Sequence, residues 1–190
     1  MKNLDLPNWG VIKTSLPKEL NEKLLKEALD LKTKRDWSSG LSDKYPNVVQ
    51  HYHFDKYLKE LEEFIGKAVD FYQKQYPGYL KNIKLLDKPL PLMFARPWIN
   101  YQKENQYIPI HTHDGVLSYS IWLKIPVESI FEFSYNSIVG DSIRHRLILD
   151  YKDEGSLILF PSQLNHMVYP FVKSKEIRIG ISGNILLHAS

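Results

Sequence analysis

Apolar residues recur at helical spacing in the first half of the chain and in short, strand-like runs in the second, with the change near residue 88. Leu20, Leu24, Leu25, Ala28 and Leu31 fall on one helical face, and Ser15, two residues before Pro17, is a plausible start for that helix. Phe54, Leu58, Leu61, Ile65, Val69 and either Phe71 or Tyr72 mark a second helix over about 54–75, stopped by Pro77-Gly78. Residues 9–15 read as an edge strand. Residues 36–53, with Ser38-Ser39-Gly40 and Tyr45-Pro46-Asn47, read as a long loop.

After Pro89 and Pro91 the pattern predicts strands at about 92–102, 107–113, 117–126, 130–136, 144–150, 155–160, 166–170 and 176–186. Val139-Gly140-Asp141 and Asp153-Glu154-Gly155 supply hairpin turns. Short strands collected behind two helices favour a mainly β (α+β) architecture over alternating βαβ units. The expected form is a sandwich or rolled barrel braced on one side by the N-terminal helices. The 190 residues suit a single domain, 1–190, with 1–88 as helical support and loop and 89–190 as the barrel core.

Composition narrows the chemistry. A net charge of +3 is too small to argue for a nucleic-acid partner. With no cysteine, any metal must be held by nitrogen and oxygen, which favours iron, manganese or zinc. Met1-Lys2-Asn3-Leu4-Asp5 lacks the apolar core of a signal peptide, and no apolar run approaches the roughly 18 residues of a membrane span. The expected location is the cytoplasm.

The chemistry-bearing residues are histidines. His111 and His113 form an H-x-H pair in Ile108-Pro109-Ile110-His111-Thr112-His113-Asp114-Gly115, and His166 follows the apolar run Leu157 to Phe160. Side chains two apart on a strand point the same way, so His111 and His113 can reach one ion together with His166. Three imidazoles on one side of a divalent ion leave its other positions open to oxygen or substrate. Strand alternation favours His113 over Asp114 as the third ligand, although a bulge would bring Asp114 round. Arg178 stands among Ile177, Ile179 and Ile181, where an inward guanidinium needs an anion to pair with. The second H-x-H, His51-Tyr52-His53, shows no third ligand and reads as structural or substrate-facing, while His145 and His188 have no partners in sequence.

Residues 94–186 resemble the iron(II)- and 2-oxoglutarate-dependent oxygenase superfamily, nearest to a group of uncharacterised bacterial and phage members. The resemblance rests on Trp98-Ile99-Asn100-Tyr101, His111-Thr112-His113, and Ser118 with Trp122-Leu123-Lys124-Ile125-Pro126. It rests further on the run from Gly155 to Pro170 and on Arg178 through Asn184. It implies a double-stranded β-helix, the jelly-roll or cupin-like barrel, with Fe(II) on His111, His166 and a third ligand from 113–114. Most of the superfamily carries H-x-Asp there, so His113 is a departure. It also implies 2-oxoglutarate as cosubstrate beside O2, with Arg178 on its distal carboxylate and Gly180 where many relatives have serine. The expected outcome is hydroxylation of an unidentified substrate, a protein side chain being one class.

Ser182 continues the Arg178 face, and Asn100 and Tyr101 are further candidate contacts to cosubstrate, Ser120 a possible extra donor. Trp122, Phe94 and Tyr119 are candidate pocket walls. Two other functions fit parts of the pattern. A cupin-like metal protein shares the H-x-H start but adds a Glu after the pair, and Gly115 through Ser120 contains none. A non-catalytic β-sandwich would use the histidines only for packing.

Overall fold

The computed structural model describes residues 9–34, 49–82 and 91–188, so most of the loop expected at 36–53 lies outside the described residues. The elements run β1 (Ile12–Ser15), α1 (Lys18–Lys34), β2 (Gln50–His53), α2 (Leu58–Gln75) and α3 (Tyr79–Asn82). Then come β3 (Leu92–Phe94), β4 (Trp98–Gln102), β5 (Ile108–His111), β6 (Leu117–Lys124), β7 (Ser129–Asn136) and β8 (Ser142–Leu149). A 3-10 turn (Tyr151–Asp153) leads to β9 (Ser156–Pro161), β10 (Asn165–Val168) and β11 (Arg178–Leu187).

The strands form two antiparallel sheets. The larger has the order β1-β9-β6-β11-β4-β2, with β3 also on β11, and the smaller has the order β5-β10-β7-β8. The expected strand 92–102 is two strands, because Pro97 has no N–H to donate and the ladder breaks before Trp98. Both pieces still pair with β11, Ile185 opposite Phe94 and Ser182 opposite Trp98, while the Ala95 amide holds the Asn184 carbonyl at 2.9 Å between them. The N-terminal part does more than brace the barrel. It contributes β1 to one edge of the larger sheet and β2 to the other.

The helices begin where the backbone allows. The first helical bond of α1 runs from the Asn21 amide to the Pro17 carbonyl, so the helix starts after the proline and not at Ser15. The second helix starts at Leu58, later than its apolar periodicity suggests, because Tyr57 takes a left-handed conformation with φ 56° that resets the chain. Phe54 is buried all the same.

The two-residue period of the strands divides the side chains between two cores. Tyr119, Ile121 and Leu123 of β6, Leu157 and Leu159 of β9, and Ile179, Ile181 and Ile185 of β11 face the helices. There they meet Leu20, Leu24 and Ala28 of α1 and Leu61, Ile65, Val69 and Tyr72 of α2. The alternate residues, Trp122, Ile158 and Phe160, pack with Phe131, Phe133, Leu149 and Val168 of the smaller sheet. This is the helix-braced barrel that the strand pattern predicts, in the double-stranded β-helix form that the resemblance implies. No helix among the described residues is long and apolar enough to cross a membrane.

Phe160, on β9 of the larger sheet, has no exposed surface and meets the smaller sheet through Phe131 and Phe133, at ring-centroid distances of 6.3 and 5.1 Å. Replacing it with alanine is expected to cost about 3–5 kcal/mol of unfolding free energy, measured by urea titration of the purified protein.

Candidate metal centre

Pairing within the smaller sheet brings the first two histidines together. On β5 and β10, His111 and His166 are direct cross-strand partners, and their rings lie 4.2 Å apart. His113 arrives by a different route from the one expected. Strand β5 ends at His111, so His113 belongs to the loop that follows. Its amide donates to the Ser162 carbonyl at 2.9 Å, and Gln163 Nε2 donates to its carbonyl at 3.2 Å, which tie the loop to the turn before His166. Gly115 turns the chain back at φ +95°, where an added Cβ would lie 2.5 Å from the Ile185 carbonyl oxygen.

The three imidazoles each offer a nitrogen, and these atoms all lie within 4.8 Å of one another. Asp114 is exposed and outside that group, so the geometry gathers His113, and not Asp114, with His111 and His166. The Nε2 atoms of His166 and His113 are 3.1 Å apart. With metal–nitrogen bonds near 2.1 Å, two ligands at a right angle place their nitrogens roughly 3.0 Å apart, and a tetrahedral pair about 3.4 Å apart. The observed spacing lets one ion take both nitrogens.

Outer contacts fix the orientation of two of the rings. His111 Nδ1 donates to the Pro109 carbonyl at 2.7 Å, and His166 Nδ1 to the Leu164 carbonyl at 2.9 Å. Each bond leaves Nε2 with its lone pair, the arrangement metal-binding histidines use. Phe131 stacks on His166 at 5.5 Å and Phe160 meets it edge-on at 4.9 Å, so the ring sits in a rigid apolar seat. Burial is the main cause that lowers all three imidazoles, His113 to about 4 and His166 to about 3, so they are neutral at ordinary pH. The residues fit a divalent cation.

Beside the triad lies a cavity of about 60 Å³. Arg178, Asn100, Ser182 and Ser120 line it, as does Trp122. Asn100 Nδ2 donates to Ser182 Oγ at 2.9 Å. Arg178 is buried, and among the described residues its side chain donates to Ser129 Oγ at 2.9 Å. Burial brings its guanidinium down to about 10, which still leaves it charged at neutral pH. No carboxylate among the described residues forms an ion pair with it.

Tyr101 is a correction. It is adjacent to Asn100 on β4, so alternation turns it to the helix face, where its hydroxyl donates to the Ala28 carbonyl at 2.5 Å. Asn100 and Tyr101 cannot both line one cavity from a regular strand. The same parity removes Tyr119, which packs against the helices, and Phe94 also belongs to that core.

Two residues of the site, Ser129 beside Arg178 and Gln102 on the cavity wall, were not singled out by sequence reasoning. Ser129 and Gln102 carry no motif. Gln102 Nε2 donates to the carbonyls of Gln106 and Tyr169, and its buried Oε1 has no partner among the described residues. His51 did carry a signal, the second H-x-H, but only the β2–β4 pairing puts it opposite Asn100 on the cavity wall. His53 of that pair is structural, its Nδ1 on the Pro97 carbonyl at 3.0 Å.

No protein-family model matches the sequence, and no curated protein matches it. The fold does match solved structures. A Pseudomonas putida prolyl-4-hydroxylase aligns over 95% of this chain and 94% of its own, with TM-score 0.64 and 12% identity. SnoK, a non-heme alpha ketoglutarate dependent carbocyclase from nogalamycin biosynthesis, aligns over 92% of this chain and 78% of its own, with TM-score 0.61 and 12% identity. HygX from Streptomyces hygroscopicus, solved with nickel and 2-oxoglutarate bound, aligns over 94% and 83%, with TM-score 0.59 and 10% identity. The chain therefore has the fold of the 2-oxoglutarate oxygenases.

The lowered histidines set a pH dependence for the metal-free protein. In the unfolded chain imidazole takes a proton near 6.5, whereas His113 and His166 resist it down to about 4 and about 3. Between those values the unfolded state binds more protons, so acid favours unfolding. The melting temperature of the metal-free protein is expected to fall as pH drops from 6.5 to about 4, and His113→Gln should show a shallower fall over that window by calorimetry.

Proposed function

We propose that this protein is an Fe(II)- and 2-oxoglutarate-dependent oxygenase, with His111, His113 and His166 holding the metal and Arg178 anchoring the cosubstrate. The observation that carries the reading is Arg178, a buried guanidinium without a counter-charge among the described residues, lining the same cavity as the three imidazoles. Leaving such a charge unpaired is costly, and a carboxylate reaching it from the metal removes the cost. A cupin-like protein that ignores 2-oxoglutarate has no use for this arginine, and neither has a sandwich that only packs its histidines.

When bound, iron(II) with 2-oxoglutarate and O2 supplies the oxidation, in which one oxygen atom goes to the substrate and the other to succinate, with release of CO2. The chain's own contribution is placement. Backbone carbonyls of Pro109 and Leu164 orient two of the ligand rings, and the fixed planar fork of Arg178 pairs with both oxygens of a distal carboxylate. Ser182 and Asn100, bonded to each other, offer a hydroxyl and an amide on the same wall. Trp122, Phe131 and Ile108 exclude water on the remaining sides. Hydroxylation of a protein side chain is the reaction we assign, from the likeness to the prolyl-4-hydroxylase over nearly all of both chains.

Incubation with Fe(II), 2-oxoglutarate and O2 is expected to yield succinate slowly even without substrate. In anaerobic calorimetry Arg178→Ala should keep metal affinity and lose at least about tenfold in 2-oxoglutarate affinity, because charge-assisted bonds contribute about 1.5–3 kcal/mol. Failure to bind iron, or indifference to 2-oxoglutarate once metal is bound, would overturn the reading.

A further inference from the structure

The described wall of the cavity carries no negative charge. Its described lining contains Arg178 and four histidines, His51, His111, His113 and His166, and no aspartate or glutamate. Asp114, the acid nearest in sequence, is exposed and is not among the lining residues. On the function proposed above, a divalent ion and Arg178 bring three positive charges and 2-oxoglutarate returns two. A carboxylate ligand would cancel the third, but His113 stands where it would be. One positive charge is left in a buried space, where an uncompensated charge is strongly disfavoured.

His51 supplies the second observation. It lines the same cavity, and its Nε2 is buried without a hydrogen-bond partner among the described residues. Trp98 stands between it and the triad, 6.3 Å from the His51 ring and 5.6 Å from the His113 ring. His51 is not within the group of nitrogens that converge for one ion. It therefore lies too far out to be a fourth ligand, yet sits on the wall of the space in front of the metal. An imidazole N–H there can donate to a group that neither the metal ligands nor Arg178 engage.

We infer that the site takes a monoanion in addition to 2-oxoglutarate, held in front of the metal by a hydrogen bond from His51 Nε2. The inference rests on the function proposed above. The anion has two sources of the same chemistry, the carboxylate of an acidic substrate side chain or a small inorganic ion such as chloride. In either case the substitution of histidine for a carboxylate at position 113 creates the demand and His51 gives it a place.

The test uses cobalt(II)-loaded protein with 2-oxoglutarate, followed by its visible spectrum and by calorimetry, so that no turnover is needed. Acetate and chloride are titrated separately into this complex. The expected result is a saturable spectral change with at least one of them, weakened about tenfold or more in His51→Ala and largely restored in His51→Gln, which keeps an N–H donor. His113→Asp should still bind cobalt and 2-oxoglutarate but lose the anion, because its carboxylate cancels the surplus charge. Tighter binding of acetate assigns the place to a substrate carboxylate, and tighter binding of chloride to an inorganic ion. A complex that forms with cobalt and 2-oxoglutarate but takes up neither anion overturns this inference alone. So does uptake unchanged in both His51→Ala and His113→Asp. Absence of cobalt or 2-oxoglutarate binding removes the functional reading along with it.

Discussion

The pairing of β5 with β10 is the contact on which the site depends. It sets His111 opposite His166 across neighbouring strands, joining two stretches of chain that are far apart in sequence. Everything else at the centre is arranged around that pair. The loop after β5 carries His113 onto the same ion position by bonding to the Ser162–Gln163 turn, and that turn is itself the entry to β10. One small region of the smaller sheet thus fixes all three imidazoles. Movement in either strand would displace two of the imidazoles together.

The larger sheet supplies what the imidazoles do not. Its inner face presents Asn100, Ser120, Arg178 and Ser182, and its outer face is a continuous apolar layer under two helices. This separation explains how a charged arginine is tolerated on a strand of isoleucines. Ile179 and Ile181 face the helices, while Arg178 points between the sheets toward Ser129 and the cavity. Packing on one face holds the strand rigid, and the other face is free to carry chemistry.

Much of this was legible along the chain. The strand runs after residue 88 and the two amphipathic helices gave the right architecture, since burial on one face imposes its period on the sequence. His111, His113 and His166 were recognisable as a set because H-x-H spacing and an apolar strand before His166 limit where those side chains can go. Arg178 stood out because its neighbours are apolar. Tyr101 shows where local reading fails. Its motif placed it beside Asn100, but adjacent residues on a strand face opposite ways, and only one of them could belong to the cavity. His113 was reached for partly the wrong reason, since it sits in a loop held by backbone bonds and not in the strand whose alternation favoured it.

Periodicity, the absence of cysteine and the spacing of the histidines are properties of the chain itself, and they determined the architecture, the donor atoms available to a metal and the three candidate ligands. Convergence is different, because it depends on which strands become neighbours. Only the tertiary structure put β2 beside β4 and so brought His51 to the cavity wall, paired Arg178 with Ser129, and left Gln102 and His51 with buried atoms lacking partners among the described residues. The physical reason is that strand pairing is a long-range choice, made by the fit of whole sheets to their helices. No local pattern around residue 51 encodes the identity of the strand it will meet.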